Sequence, residues 1–336
     1  MSGRDRTGGF RARPGKRFGR TGRRLAHAAV WLALLISAAA CGFTGAGRDP
    51  AAGGAEDKIR VVTTIAQIAE PLSVIGGDRV AVQSLMGPGV DPHLYQAALS
   101  DIRKLANADA VFYSGLHLEA NMLRVFRELG KAVPVLAVAE AIPAEELLTD
   151  EQGAVDPHVW FDIGLWQKAL AAAVEELKRL SPRDAAYFEA NKTAYFARMD
   201  ALRKEAEDMV AQIPEQQRVL VTAHDAFGYF GRMLGLRVVG LQGLSTEDEV
   251  GLTDIDHTIE LLVEHRVPAV FVESSVNPAA IRAVIEGAKE RGLDVRLGGE
   301  LFSDAMGRAG TEEGTYLGMF RHNVETISRA LSGKEG

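Results

Sequence analysis

The chain has 336 residues, 47% of them hydrophobic and 25% charged, which excludes a disordered protein and leaves room for two domains, each with its own core. One cysteine excludes an intramolecular disulfide and a cysteine-built metal cluster. The formal net charge of −7 argues against nucleic acid as a partner.

The first 24 residues hold nine of the 38 Lys and Arg and one of the 45 acids, and an apolar run, "LAHAAVWLALLISAAA", follows from Leu25 to Ala40. That layout reads as a signal peptide over residues 1–40, because the run falls short of the ~20 residues a bilayer-spanning helix needs. Cys41 stands directly after it, and "SAAAC" resembles a bacterial lipobox, although Ala38 occupies the place where Leu is usual. Lipidation of Cys41 is the expectation, with the Gly- and Ala-rich stretch 41–57 as a flexible tether. Without residues 1–40 the chain keeps 29 basic and 44 acidic residues, a formal charge of −15, which favours cations over anions as partners.

From Lys58 onward, short β-branched runs alternate with amphipathic stretches. "IRVVTTI", "VAVQSLM", "ADAVFYSG" and "VPVLAVAE" predict strands, and "AQIAEPLSVIGG", "SDIRKLANA" and "LEANMLRVFRELG" predict helices between them. The same order restarts after residue 217 with "RVLVTAH", "LRVVGLQG", "PAVFVESS" and "VRLGGELFS", and with helices near 226–234, 253–265, 278–291 and 312–331. The expected fold is α/β, with two pseudo-symmetric lobes (58–180 and 215–332) whose mostly parallel sheets are flanked by helices. Between the lobes, Arg183–Ile213 contains no Gly or Pro. With Ser181 as N-cap, Pro182 at the first helical position and Pro214 as the stop, residues 181–214 predict one long joining helix of about 46 Å. A single stiff connection predicts a small rearrangement between lobes rather than a wide hinge.

The word Val-Asp-Pro-His occurs twice, ending at His93 and at His158. Proline fixes its own φ and keeps the residue before it out of the helical region, so each histidine leaves a stiff turn suited to a ligand. Asp91 and Asp156 are expected either to orient a ring nitrogen or to shape the turn. His224 follows the first strand of the second lobe and Asp304 follows its last. In open α/β sheets, ligands gather beyond the carboxyl ends of strands. Three imidazoles and one carboxylate, two side chains from each lobe, would make a closed first-row metal site that weakens below about pH 6.5. His117 and His322 are expected to serve packing or hydrogen bonding, and His257 and His265 to lie on a helix surface. Glu273 is a candidate partner behind the ligands, and Glu247-Asp248-Glu249 reads as a solvated acidic turn.

At these residues the chain resembles the manganese- and zinc-specific substrate-binding lipoproteins of bacterial ABC importers, a group that includes several so-called adhesins. The resemblance spans about residues 58–332 through "DPHLYQ", "SGLHLE", "DPHVWFD", "TAHDAFGYF", "LQGLSTEDE", "VFVESSV", "LFSDAMG" and "GTYLGMFRHNVETI", in that order. It implies two lobes joined by one long helix, with metal held between them by His93, His158, His224 and Asp304. It also implies a monomer outside the cytoplasmic membrane, either periplasmic or anchored to the membrane's outer face by a lipid, that serves a permease and its ATPase and catalyses no reaction. Manganese is the expected cargo and zinc the alternative. Residues 94–157 hold one histidine in place of a His-rich loop, and a carboxylate binding through both oxygens exceeds the tetrahedral count zinc prefers. Against this, three imidazoles are nitrogen-rich for manganese, and zinc precedes it in the Irving–Williams order. Readings of another class are a metallohydrolase, which lacks an H-E-x-x-H word here, and a surface adhesin with a structural metal.

Overall fold

The computed structural model describes residues 58–333; the expected signal peptide, Cys41 and the expected tether up to residue 57 lie outside them. The N-terminal half opens as β1 (Ile59–Thr63), α1 (Ala66–Gly76), β2 (Val80–Ser84), α2 (Leu99–Ala106), β3 (Ala110–Tyr113), α3 (Leu123–Leu129) and β4 (Val135–Ala137). The four strands form one parallel sheet in the order β2-β1-β3-β4. Two helices follow, α4 (Ile163–Leu180) and α5 (Ala185–Val210). The C-terminal half then runs β5 (Val219–His224), α6 (Gly228–Leu234), β6 (Arg237–Gln242), α7 (Leu252–His265), β7 (Ala269–Glu273), α8 (Ala279–Glu290), β8 (Arg296–Leu301) and α9 (Tyr316–Leu331). Its strands pair in parallel as β5-β6 and β7-β8, and β5 lies against β7. The α/β class with parallel strands and flanking helices is therefore as expected.

The long helix is shorter than its sequence suggests. Residues 182–184 form a tight 3-10 turn, because Pro182 opens it and the Ser181 hydroxyl donates to Asp184 Oδ2 (2.6 Å) instead of capping a backbone N–H. The α-helix proper has 26 residues, about 39 Å at ~1.5 Å per residue. Nor does it stand alone: α4, absent from the predicted elements, packs along it, started by the Asp162 carboxylate accepting from Leu165 N. Helix α5 touches α1 and α4 of the N-terminal half and α6 and α9 of the C-terminal half, so it contacts both halves.

A single apolar core runs through both halves. Where they meet, Trp160, Phe161 and Trp166 from the N-terminal half interdigitate with Phe227, Phe230, Tyr316 and Phe320, all fully buried. Phe161 stacks on Phe227 with centroids 4.6 Å apart, and the Tyr316 hydroxyl donates to Trp160 O (2.8 Å). Each such ring contributes roughly 1.5–3 kcal/mol by burial. Pro71 inside α1 cannot donate to the carbonyl of Gln67; the Trp166 indole N–H reaches that oxygen at 3.3 Å instead. The floor between the halves is therefore apolar, interlocked and hydrogen-bonded.

Candidate metal centre

Just above this floor, four side chains converge. His158 precedes the 3-10 turn Val159–Phe161, His224 is the last residue of β5, and Asp304 lies three residues past β8. His93 sits in the irregular loop between β2 and α2. His158 lies in the long connection beyond β4, which wanders through 3-10 turns and an isolated Thr149–Val155 bridge first. One ligand atom from each of the four lies within 4.8 Å of the others. His93 Nε2 is 3.3 Å from His158 Nε2, which is 3.4 Å from Asp304 Oδ1, while His224 Nε2 is 3.3 Å from Asp304 Oδ2. His93 Nε2 stands 4.0 Å from Asp304 Oδ1.

This donor set fits a cation. Ligands held about 2.1 Å from a tetrahedral metal lie about 3.4 Å apart, close to the separations found. His224 Nε2 and both Asp304 oxygens are buried without hydrogen-bond partners, a costly state for polar atoms that a cation at their centre would relieve. Because Oδ1 faces His158 and Oδ2 faces His224, Asp304 can bind through both oxygens.

The two Asp-Pro turns share one local device. Asp91 Oδ1 accepts from His93 N (2.8 Å) and Asp156 Oδ1 from His158 N (2.9 Å), each carboxylate closing its own turn two residues on. Beyond that they differ. Asp156 Oδ1 also meets His158 Nδ1 at 2.7 Å, which fixes that ring with Nε2 toward the centre. Gly228, at the start of α6, allows this approach, since a Cβ there would sit 2.8 Å from Asp156 Oδ2. Glu273 does the same for His224: Oε1 accepts from His224 N (2.9 Å), and Oε2 lies 2.5 Å from Nδ1 in an ion contact that misses hydrogen-bond alignment.

Burial and charge set the protonation of the metal-free centre. Burial pulls His158 down, but Asp156 and Asp304 outweigh it and raise its pKa to about 9. Burial likewise opposes the charge on His224, and Glu273 and Asp304 overcome it, holding its pKa well above the usual imidazole value. Burial favours the neutral form of Asp304, yet His224 and His158 keep it ionised well below the usual carboxylate range. For His93, burial wins and the pKa falls to about 4. At pH 7 the metal-free site therefore carries protons on His158 and His224 that a cation must displace. Competition from protons thus extends beyond the pH 6.5 expected for free imidazole, at His158 to about pH 9. Binding at pH 7 is expected to release about two protons, so affinity rises as pH climbs through the raised pKa values of His158 and His224 and falls as pH drops. Calorimetric titration in buffers of different ionisation enthalpy measures the release, and a count near zero would contradict this protonation pattern.

His117 stands outside the cluster, exposed, at the rim of a cavity of about 130 Å³ that His93 lines from within, together with Leu118, Val155, Ser245 and Glu247. Its loop is left-handed over Gly115, Leu116 and His117 (φ 89°, 52° and 68°), and the buried Glu119 carboxylate pins it by accepting from Thr64 Oγ1, Ser114 N and Gly115 N. His322 meets Glu300 O at 3.0 Å, and on α7 His257 is exposed and His265 half-buried. The acids Glu247, Asp248 and Glu249 are exposed, as expected of a solvated turn, but the residues beside them reach the N-terminal half. Thr246 Oγ1 donates to Asp91 Oδ2 (2.6 Å), and Asn121 Nδ2 reaches both His93 O (2.9 Å) and Glu247 Oε1 (3.4 Å). Sequence reasoning missed Thr246 and Asn121, whose only signal was their place inside the words "LSTEDE" and "EANM".

An α/β fold of parallel strands with a buried three-histidine, one-aspartate cluster where its halves meet defines a class of metal-binding substrate-binding proteins. Residues 61–330 match the profile of the ZnuA family, "Zinc-uptake complex component A periplasmic", and the chain belongs to that family. It is 50% identical over 290 residues to the manganese-binding lipoprotein MntA of Bacillus subtilis (strain 168), covering 86% of this chain and 95% of MntA. It is 45% identical over 293 residues to the zinc-binding protein TroA of Treponema pallidum (strain Nichols), covering 87% of this chain and 94% of TroA. The solved structure of the periplasmic zinc-binding TroA of Treponema pallidum superposes with a TM-score of 0.79, over 82% of this chain and 99% of that one.

Proposed function

We propose that the protein captures one divalent metal ion outside the cytoplasmic membrane and passes it to the permease of an ABC importer, with manganese as cargo and zinc as the alternative. The observation that carries this reading is the convergence of three imidazole Nε2 atoms and two unpaired carboxylate oxygens in a buried centre. His93, His158, His224 and Asp304 are the proposed ligands; Asp156 and Glu273 orient two of the rings, and Asp91 shapes the turn of the third. Residues 58–180 and 215–332 act as the two lobes and 181–214 as their connection. Cys41 is the proposed point of lipid attachment, in keeping with MntA being named a lipoprotein. Among the described residues no helix is long and apolar enough to cross a membrane.

Manganese is favoured by the bidentate reach of Asp304, which takes coordination beyond four, and by the 50% identity to a protein named manganese-binding. Zinc is supported by the imidazole count and by TroA. Hydrolysis is disfavoured because a four-ligand set leaves no evident open position for water, and Asp156 and Glu273 are engaged with histidine rings. Metal analysis of protein purified from its own host is expected to find manganese, while zinc displaces manganese in competitive titration in vitro. A zinc-only load at adequate manganese supply would overturn the choice of cargo. Unchanged metal accumulation after deletion of the gene would overturn the transport reading itself.

A further inference from the structure

The two Val-Asp-Pro-His turns, alike in sequence, put their aspartates to different uses. Asp156 backs the ring of His158, and Glu273 backs that of His224. Asp91 is turned away from the ring of His93 and instead takes a hydrogen bond from Thr246, on the loop after β6 in the opposite half. Asn121 adds a second tie, donating to the carbonyl of His93 and reaching Glu247 on that same loop. His93 is also the one proposed ligand that lines the 130 Å³ cavity leading outward, whereas His158 and His224 are sealed from solvent.

We infer that Asp91–Thr246 and His93–Asn121–Glu247 form a latch between the halves that holds His93 over the metal, and that opening it is the first step of metal release. The inference rests on the metal-binding reading above. Physical asymmetry supports it. Beneath the centre the halves are locked by stacked, fully buried aromatic rings, while above it these few hydrogen bonds at the cavity's rim tie the His93 loop to the opposite half. A small displacement therefore opens from the top, freeing His93 while His158, His224 and Asp304 still hold the ion. Thr246 and Asn121 are positioning residues, acting on the metal through the His93 loop.

The test is the rate at which a chelator strips bound Mn²⁺, and separately Zn²⁺, from purified full-length protein by stopped flow. Thr246→Val, which keeps shape and removes the hydroxyl, is expected to speed dissociation about tenfold, with one metal per chain and the association rate within about twofold of the parent. Thr246→Ser is expected to restore the parental rate, which a purely space-filling role for Thr246 would not predict. Asn121→Ala provides an independent variant, also expected to accelerate release, and serves alone if Thr246→Val does not fold. Unchanged dissociation in folded variants would overturn the latch. Parental metal affinity in His224→Ala would instead overturn the underlying metal site, so the two failures are distinguishable.

Discussion

Replacing His224 with alanine is expected to raise the Kd for Mn²⁺ and Zn²⁺ by about a thousandfold or more, beyond the ~10–100-fold typical of losing an outer partner. The ring ends β5, is sealed from solvent and faces Asp304 Oδ2 at 3.3 Å. Its loss removes a proposed ligand and leaves the buried Glu273 carboxylate without the ring it meets. His93→Ala and His158→Ala are expected to cripple binding as well. His117→Ala is the internal control: its ring is exposed at the cavity rim, outside the cluster, and Kd should change by no more than about twofold. Isothermal titration or competition with a chromophoric chelator reads all four. Tight binding by His224→Ala would refute the assignment, and a large loss in His117→Ala would relocate it.

Metal loading is expected to raise the melting temperature by on the order of 10 °C when free metal stands a thousandfold above Kd. Mass action alone then adds about 4 kcal/mol, and a chain of this size gains a few degrees per kcal/mol. The structural basis is the metal-free centre, where unpaired Asp304 oxygens and His224 Nε2 are buried and two rings carry protons. The cation replaces those protons and satisfies those atoms, and it binds only the folded chain, because the ligands are 211 positions apart from first to last. Calorimetry with and without a chelator measures the shift. No shift in the parent protein would contradict the site, whereas loss of the shift in His224→Ala is the expected counterpart.

Much of this was legible before any coordinates. Alternating β-branched runs and amphipathic stretches announce parallel α/β halves, since the pattern of burial repeats locally along the chain. The stiff Asp-Pro turns single out His93 and His158, and position beyond a strand singles out His224 and Asp304, because these signals reside in a few adjacent residues. Helix α4 was passed over although its pattern is regular, and α5 starts three residues late because Ser181 bonds Asp184 rather than a backbone N–H.

What the chain order could not express is which side chains meet across distance. That Asp156 orients His158 while Asp91 turns to Thr246, 155 residues on, depends on how two loops from opposite halves approach each other. The same holds for the proton load of the centre: a lone imidazole titrates near 6.5, but Asp156, Asp304 and Glu273 move His158 and His224 up against the effect of burial, while burial, with the neighbouring His158 and His224, moves His93 down. Sequence by itself determined the donor types and the class of fold, because composition and periodicity are local. Only the tertiary structure decided the spacing of the donors, the carboxylate partners of His158 and His224 and the side on which the cavity beside His93 lies, because those follow from packing between segments that the sequence keeps apart.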